Sequence, residues 1–207
     1  LSCLVGSEMC IRDRINTNLD GGLNVVGIDA AQDEYRLLLS ADFGQIPFNP
    51  SMNVHSVSLG MYLEDLNFGA GATGMTFTVH RVITTGWSET TATWNGTGTA
   101  MWAAAGMQSG VDYDATPIDT VFMSNAQAID STIFFDLGHR MMYIDGVHSW
   151  VIIGSPTQGW MEADFADNSD ETSSKRPLLM MNYTDIDSIT ISPTATTTDA
   201  DSTVQFS

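Results

Sequence analysis

Apolar and polar residues alternate with a period of two over several short stretches of the chain. The alternation runs through residues 57–63, 75–79 and 133–137. Because successive side chains of a strand point to opposite faces of a sheet, each stretch predicts a strand with one buried face. Denser apolar runs at 148–154 and 177–183 predict central strands.

Glycine-rich turns separate these stretches, for example over residues 68–74. Many short strands joined by frequent turn signals predict an all-β, antiparallel sandwich that resembles a jelly roll. Trp150 lies inside a dense apolar run and is predicted to be a core residue. The longest predicted loop runs from about Asn95 to Asp130.

A second pattern surrounds two tryptophans, Trp87 and Trp94, which are seven positions apart in a threonine-rich segment. Seven is an odd number, so a single continuous strand would point the two rings to opposite faces. We therefore expect a turn or a bulge between them.

The segment W-S-E-T-T-A-T-W-N at residues 87–95 resembles the W-S-E-x-T-x-T-W-N signature of DNRLRE domains. Four further pieces resemble the family's strands in the family's order: 36–47, 56–63, 135–146 and 176–183. Ser40 and Ala41 depart from the usual Arg and Phe, and Tyr143 stands where Trp is usual. The resemblance implies a non-catalytic, carbohydrate-binding-type β-sandwich of a large secreted protein, with Trp87 and Trp94 as structural residues.

Residues 1–14 differ in origin from the rest of the chain. Leu4 to Arg14 is what a transposase-end sequencing adaptor encodes, so we interpret residues 1–14 as adaptor-derived and not native. A signal-peptide remnant is the alternative, but the segment has no apolar central region. Cys3 and Cys10 are the only two cysteines. Because both lie in this segment, the remainder is expected to use no disulfide or cysteine-ligated metal.

The remaining chain divides in two. Residues 15–184 are assigned to one DNRLRE-type sandwich, whose first strand is expected to be truncated. Residues 185–207 resemble a linker and the truncated start of a bacterial Ig-like domain, with I-T-I-S-P at 189–193 and T-V-Q-F-S at 203–207. A disordered tail rich in threonine and aspartate is the alternative for this segment.

The charge of the chain excludes several partners. Aspartate and glutamate total 25 residues against seven lysines and arginines, which gives a formal net charge of −18. Such a surface repels nucleic acid and anionic membranes, so neither is an expected partner. No apolar run is long enough to span a bilayer. We expect an extracellular protein, secreted or held at the cell surface.

Enzymatic chemistry has little support in the sequence. No two of the four histidines have the spacing of paired metal ligands, and no G-x-S-x-G nucleophile motif occurs. His80 lies opposite the apolar face of a predicted strand and is expected to face solvent. We predict that the chain is not an enzyme. The alternative, part of a polysaccharide-degrading catalytic domain, would require two carboxylates about 5–10 Å apart in a cleft.

Aromatic side chains are the candidates for binding, because their rings stack on the apolar faces of sugars. Trp102 and Tyr113 lie in the long loop and are the pair expected to be most exposed, although such loop aromatics can instead pin a loop to the core. Tyr143 and Trp160 are further candidates. The predicted function is a carbohydrate-binding or adhesive module. The alternative is a structural spacer without a ligand, in contact only with other domains of the same secreted chain.

Calcium is a candidate cofactor, because carboxylate oxygens on loops are the ligands it prefers. Asp112 and Asp114 form one candidate pair, and Asp167 and Asp170 belong to a second acidic stretch. A solvated acidic loop is the alternative for both. Lys175-Arg176 is the single basic pair outside residues 1–14. The expected ligand is therefore a neutral polysaccharide, or an anionic one bridged by calcium.

Overall fold

The structure is a computed structural model that describes residues 2–4, 7–12, 24–45, 52–88, 90–138, 146–167, 172 and 174–185. Its eleven described strands are all paired antiparallel. The strands are β1 Ser2–Leu4, β2 Ser7–Arg12, β3 Asn24–Ile28, β4 Glu34–Asp42, β5 Met52–Phe68, β6 Gly74–Arg81, β7 Asp119–Ser124, β8 Ser131–Asp136, β9 Val147–Pro156, β10 Met161–Phe165 and β11 Leu178–Asp185. A 3-10 turn at Phe43–Gln45 follows β4.

The strands form one curled sheet in the order β1-β11-β5-β10-β3-β4-β9-β6-β7, while β2 pairs with β4 and β8 pairs with β5. The curl brings β7 and β8 together, and the backbone N–H of Asp136 donates to the Asp119 carboxylate at 2.8 Å. The result is a half-barrel with a sandwich-like interior, which confirms the predicted all-β antiparallel class.

The period-two stretches form strands as predicted. They lie in β5, β6 and β8, and the two dense apolar runs form β9 and most of β11. β9 is flanked by β4 and β6, so its density of apolar residues reflects a central position. The expected turn between Trp87 and Trp94 is also present, where the N–H groups of Thr91 and Ala92 donate to the carbonyl of Ser88.

The prediction of one continuous loop from about 95 to 130 is wrong, because β7 lies inside it. β7 pairs with β6 alone among the named strands, and its burial alternates only weakly. Little of the surface of β7 is covered, so the strand needs few apolar residues. Its sequence therefore shows only a weak alternation of apolar and polar positions.

The main core fills the inside of the curl. Phe77 packs edge-on against Phe135 and Phe165, with ring centroids 6.0 and 5.8 Å apart. Trp150 belongs to this core and is fully buried, as predicted. Full burial of a phenylalanine side chain such as that of Phe77 contributes about 1.5–3 kcal/mol relative to an exposed one.

A second apolar cluster lies on the outer face of β4 and β9. Leu38 of β4 and Val151 of β9 are directly paired in the register, and both are fully buried. Their cover is the long segment between β6 and β7, which contributes buried apolar residues of its own. These are Ala92, Trp94, Trp102, Met107 and Tyr113. This segment, residues 82–118, is called the covering loop below.

The residues interpreted as adaptor-derived also pair with the sheet. β1 pairs with β11, and β2 pairs with β4 from Ser7 opposite Ser40 to Arg12 opposite Tyr35. An exposed strand edge offers unpaired N–H and C=O groups to any extended segment, so this pairing is compatible with a non-native origin. The predicted Ig-like segment lies outside the described residues beyond position 185. Within the described part of the chain, no helix combines the length and apolar character needed to span a membrane.

Candidate functional site

A groove of about 770 Å³ lies where β6 continues into the covering loop, beside the start of β9. Its lining comes from three parts of the described chain: residues 81–88 with Thr90, residues 147–149, and the single residues Asp114 and Ser40. In the groove, one indole ring is surrounded by hydroxyl, imidazole, guanidinium and carboxylate groups.

Trp87 is the aromatic side chain of this groove. Its indole Nε1 donates to the hydroxyl of Ser149 at 3.1 Å, and the ring packs against the outer apolar cluster. The turn that follows Ser88 holds the backbone at this point. Trp87 is therefore half-buried and fixed in orientation, and it lines the groove.

Backbone hydrogen bonds make the walls of the groove rigid. The N–H of Val82 donates to the carbonyl of Ser149 at 2.9 Å, so the segment after β6 stays attached to β9. The N–H groups of Ile83 and Thr84 both donate to the carbonyl of Asp112, at 2.8 and 3.1 Å. A pre-formed site of this kind needs little reordering when a ligand binds.

The groove carries both signs of charge. The side chains of Arg81 and Asp114 are exposed at its margins, and the ring of His148 lies edge-on to Phe43 at 5.5 Å. Hydroxyl groups of serine and threonine supply further donors and acceptors. They belong to Ser40, Thr84, Thr85, Ser88, Thr90 and Ser149. Such a set can form hydrogen bonds to a polyhydroxylated ligand while the indole contacts its apolar face.

The expected exposure of Trp102 and Tyr113 is wrong. Trp102 is 4% exposed and Tyr113 is 8% exposed, because both rings cover the outer face of β4 and β9. The Trp102 indole donates to the carbonyl of Thr93 at 2.9 Å. This hydrogen bond joins two parts of the covering loop. Both rings therefore have the loop-pinning role that was the stated alternative.

His80 is also buried, contrary to the solvent-facing position expected for it. It lies opposite Val151 in the register, on the outer face that the covering loop hides. Its Nδ1 lies 2.8 Å from the carbonyl of Asp114, and its ring centroid is 4.9 Å from that of Tyr113. Burial lowers the pKa of His80, which favours the neutral ring.

Asp112 is a structural carboxylate of the covering loop and is 2% exposed. Its Oδ2 accepts from the N–H groups of Ala103 and Gln108 at 2.9 and 2.7 Å, and its Oδ1 accepts from the Thr84 hydroxyl at 2.8 Å. Both oxygens of this carboxylate are therefore already bonded to donors. A bound cation would need oxygen atoms that are open to it. The neighbouring Asp114 is exposed, so the two carboxylates predicted as a pair have separate surroundings.

The second predicted calcium stretch is only partly described. Asp167 is half-buried, whereas Asp170 lies outside the described residues, as does the binding candidate Tyr143. Among the residues that the structure describes, no group of three or more His, Cys, Asp or Glu side chains is placed to hold a metal ion.

Trp160 is the predicted binding residue that remains partly exposed. It lines a separate, open pocket of about 470 Å³ together with Tyr35, Asn67 and Glu162. This pocket shares no lining residue with the Trp87 groove. The two half-buried tryptophans therefore belong to two sites and do not form one flat platform.

Trp87 is a residue of the candidate groove that the sequence did not single out for binding, because its place in the family signature predicted a structural role. One signal could have found it. Leu37-Leu38-Leu39 and the run from Trp150 to Ile153 are continuous apolar stretches, which strands need when both faces are buried. The aromatic residues of the loop provide that cover, and the candidate ring, Trp87, lies at its edge.

The fold and the groove define an all-β, sandwich-like domain with a pre-formed polar groove around one indole. No protein-family model matches the chain, and no curated protein is significantly similar to it.

Proposed function

We propose that the chain is a non-catalytic carbohydrate-binding or adhesive module of the DNRLRE type, part of a larger secreted or cell-surface protein. The observation that carries the proposal is the groove around Trp87. Its volume of about 770 Å³ falls inside the range of roughly 300–1,000 Å³ that small-ligand pockets occupy.

The composition of the groove supports a sugar ligand in particular. An indole ring provides the flat apolar surface that the C–H face of a pyranose requires, and the surrounding hydroxyl groups match sugar hydroxyls. Among the described lining residues, Asp114 supplies carboxylate oxygens that can accept hydrogen bonds from sugar hydroxyls.

The groove suits a neutral polysaccharide, or an anionic one bridged by calcium. Arg81 provides one positive charge, and Asp114 offsets it nearby. A polyanion without a bridging cation would also meet the repulsion of a chain whose net charge is −18. The calcium ion remains a prediction, with loop stabilisation as its expected role.

Affinity electrophoresis of the full chain against neutral and anionic polysaccharides, in calcium and in chelator, tests the proposal. We expect retardation by at least one glycan and a loss of about tenfold in affinity on Trp87→Ala, since an aromatic contact and its buried area contribute about 1–2 kcal/mol. Phe122→Ala is the matched control, because Phe122 is 58% exposed and lies outside the groove. Unchanged mobility of the folded protein with every glycan would refute the proposal.

A structural spacer is the second candidate function. The burial of Trp102 and Tyr113 favours it, because those rings stabilise the fold and are unavailable to a ligand. In that case Trp87 would serve only to close the covering loop. Trp87→Ala would then lower the melting temperature while changing no interaction with any glycan in the same panel.

A further inference from the structure

The open pocket around Trp160 has a chemistry that differs from that of the Trp87 groove. It lies between the turn after β3 and the start of β10, and its volume is about 470 Å³. Its lining combines the indole and a phenol ring with two carboxylates and one carboxamide. The lining residues are Asp29, Ala30, Ala31, Tyr35, Asn67, Trp160 and Glu162.

The position of the Trp160 ring depends on a glycine. A Cβ atom on Gly69 would lie 2.4 Å from the indole Nε1, which is closer than real Cβ contacts allow. The N–H of Gly69 also donates to the carbonyl of Trp160 at 3.0 Å. The turn after β5 therefore supports the indole from below, and the ring keeps a defined orientation.

The strand register places the other walls of the pocket in one row. Asn67 of β5 lies opposite Glu162 of β10, Glu162 lies opposite Gly27 of β3, and Gly27 lies opposite Tyr35 of β4. Glu162 is thus flanked by a carboxamide on one side and by a residue without a side chain on the other. A row that crosses four strands of one sheet is rigid, because each position is fixed by ladder hydrogen bonds.

Two of the described lining residues of the pocket carry carboxylates. The Asp29 carboxylate accepts from the N–H groups of Ala31 and Asp33 at 2.8 and 3.0 Å and from the Tyr35 hydroxyl at 3.1 Å. These donors hold one carboxylate at the wall, and Glu162 supplies a second. None of the described lining residues is Lys, Arg or His, in contrast to the Trp87 groove with its Arg81 and His148.

We propose that the Trp160 pocket binds the protonated amine of an amino-sugar residue in a glycan. The ammonium group would form charge-assisted hydrogen bonds to carboxylate oxygens and interact with the indole face. The pyranose ring would stack on the remaining apolar surface of Trp160. A glycan fits better than a lysine side chain, because the partly exposed indole offers a flat apolar surface that a pyranose ring matches better than a narrow alkyl stem.

Isothermal titration calorimetry with the full chain tests this proposal. The probes are a glucosamine hexamer, its fully N-acetylated form and a lysine hexapeptide, in a mildly acidic buffer that keeps the amines protonated. We expect the free-amine hexamer to bind about tenfold more tightly than the acetylated one, because acetylation removes the charge that the carboxylates recognise. Glu162→Gln and Trp160→Ala should each weaken binding by a similar factor.

Matched controls separate this site from general attraction to an acidic protein. Asp136→Asn removes the same charge at an exposed position outside both candidate sites and should leave the affinity unchanged. An equal loss with Asp136→Asn and Glu162→Gln would overturn the proposal, as would equal binding of the acetylated hexamer. Equal binding of the lysine peptide would overturn the assignment to a glycan. The two sites have no described lining residue in common. These outcomes therefore neither support nor refute glycan binding in the Trp87 groove.

Discussion

Asp112 and Asp164 are both shielded from solvent, but the groups around them differ in kind. The Asp112 carboxylate accepts three hydrogen bonds from the covering loop and from Thr84. Asp164 lies on β10 directly opposite Asp65 of β5, and other carboxylates stand nearby. The three hydrogen bonds make Asp112 part of the structure of the covering loop. At Asp164, burial and like charges disfavour the ionised carboxylate, so its charge opposes the fold at neutral pH.

Replacement of Asp112 should destabilise the protein strongly. Asp112→Ala removes the acceptor of three partly buried hydrogen bonds, so we expect the free energy of unfolding to fall by about 2 kcal/mol. Urea denaturation followed by tryptophan fluorescence measures this change. Asp114→Ala is the adjacent control and should change stability by less than about 0.5 kcal/mol, because Asp114 is exposed. Similar losses from the two variants would refute the structural role of Asp112.

Asp164 predicts a dependence of stability on pH. Burial first, and then the charges of Glu64, Asp65 and Glu162, raise the pKa of Asp164 from 3.8 to about 6. The folded state therefore binds this proton more tightly than the unfolded state, and stability falls as pH rises from about 4 to about 6. Asp164→Asn should raise the melting temperature above pH 6 and change it little near pH 4.

A double-mutant cycle checks the cause of that pKa shift. In the background of Asp65→Asn, the like charge opposite Asp164 is absent, so the pKa of Asp164 should rise less. The gain in melting temperature from Asp164→Asn at pH 7 should then be smaller than in the original chain. A gain that is the same at pH 4 and pH 7 would contradict an electrostatic origin.

At the scale of elements, the covering loop accounts for most of what the sequence did not predict. Arg36 on β4 attaches the loop to the sheet. Its guanidinium donates to the carbonyls of Gly106 and Met107, and lies 5.2 Å from the centroid of the Trp94 ring. The ion pair with Glu34, at 2.7 Å, orients the same guanidinium. The loop thus behaves as a packed layer, and its aromatic residues serve as core.

Two glycines of this loop permit a matched test of that packing. Gly106 and Gly110 both have φ near +77°, so alanine costs about 1–2 kcal/mol at either position through backbone strain. At Gly106 the added Cβ would lie 2.3 Å from the Trp94 ring, whereas at Gly110 no atom lies within 4 Å. Thermal denaturation should show Gly106→Ala to be less stable than Gly110→Ala by about a further 1–3 kcal/mol. Equal losses would mean that the loop yields to the added methyl group.

The strands were predictable wherever one face is buried and the other is polar, because the period of two is then visible, as in β5 and β8. β7 has too few buried side chains to show that period. Burial of Trp102 and Tyr113 could not be derived from local pattern, because it depends on which face of β4 and β9 the loop returns to cover. The groove was missed for the same reason, since its indole lies at the margin of that cover.

At the scale of the whole molecule, charge is distributed unevenly between the two candidate sites. Arg81 and Asp114 line the groove with one charge of each sign, whereas Asp29 and Glu162 line the Trp160 pocket with two carboxylates. The net charge of −18 surrounds both. Two sites with different preferences, one for neutral sugars and one for amino sugars, would allow one domain to bridge chemically different stretches of polymer. Such a module would gain avidity only where both sites can be occupied at the same time.

The same net charge predicts a strong effect of salt on stability. At neutral pH the carboxylates repel one another across a compact fold, and added ions screen that repulsion. The Debye length falls from about 30 Å at 0.01 M to about 3 Å at 1 M, so the melting temperature should rise between these concentrations of sodium chloride. Circular dichroism measures it at pH 7.5 and again near the sequence isoelectric point of about 4.1, where the net charge is close to zero and the rise should disappear. An equal rise at both pH values would show that salt acts through apolar burial, since excluded salts strengthen burial whatever the charge.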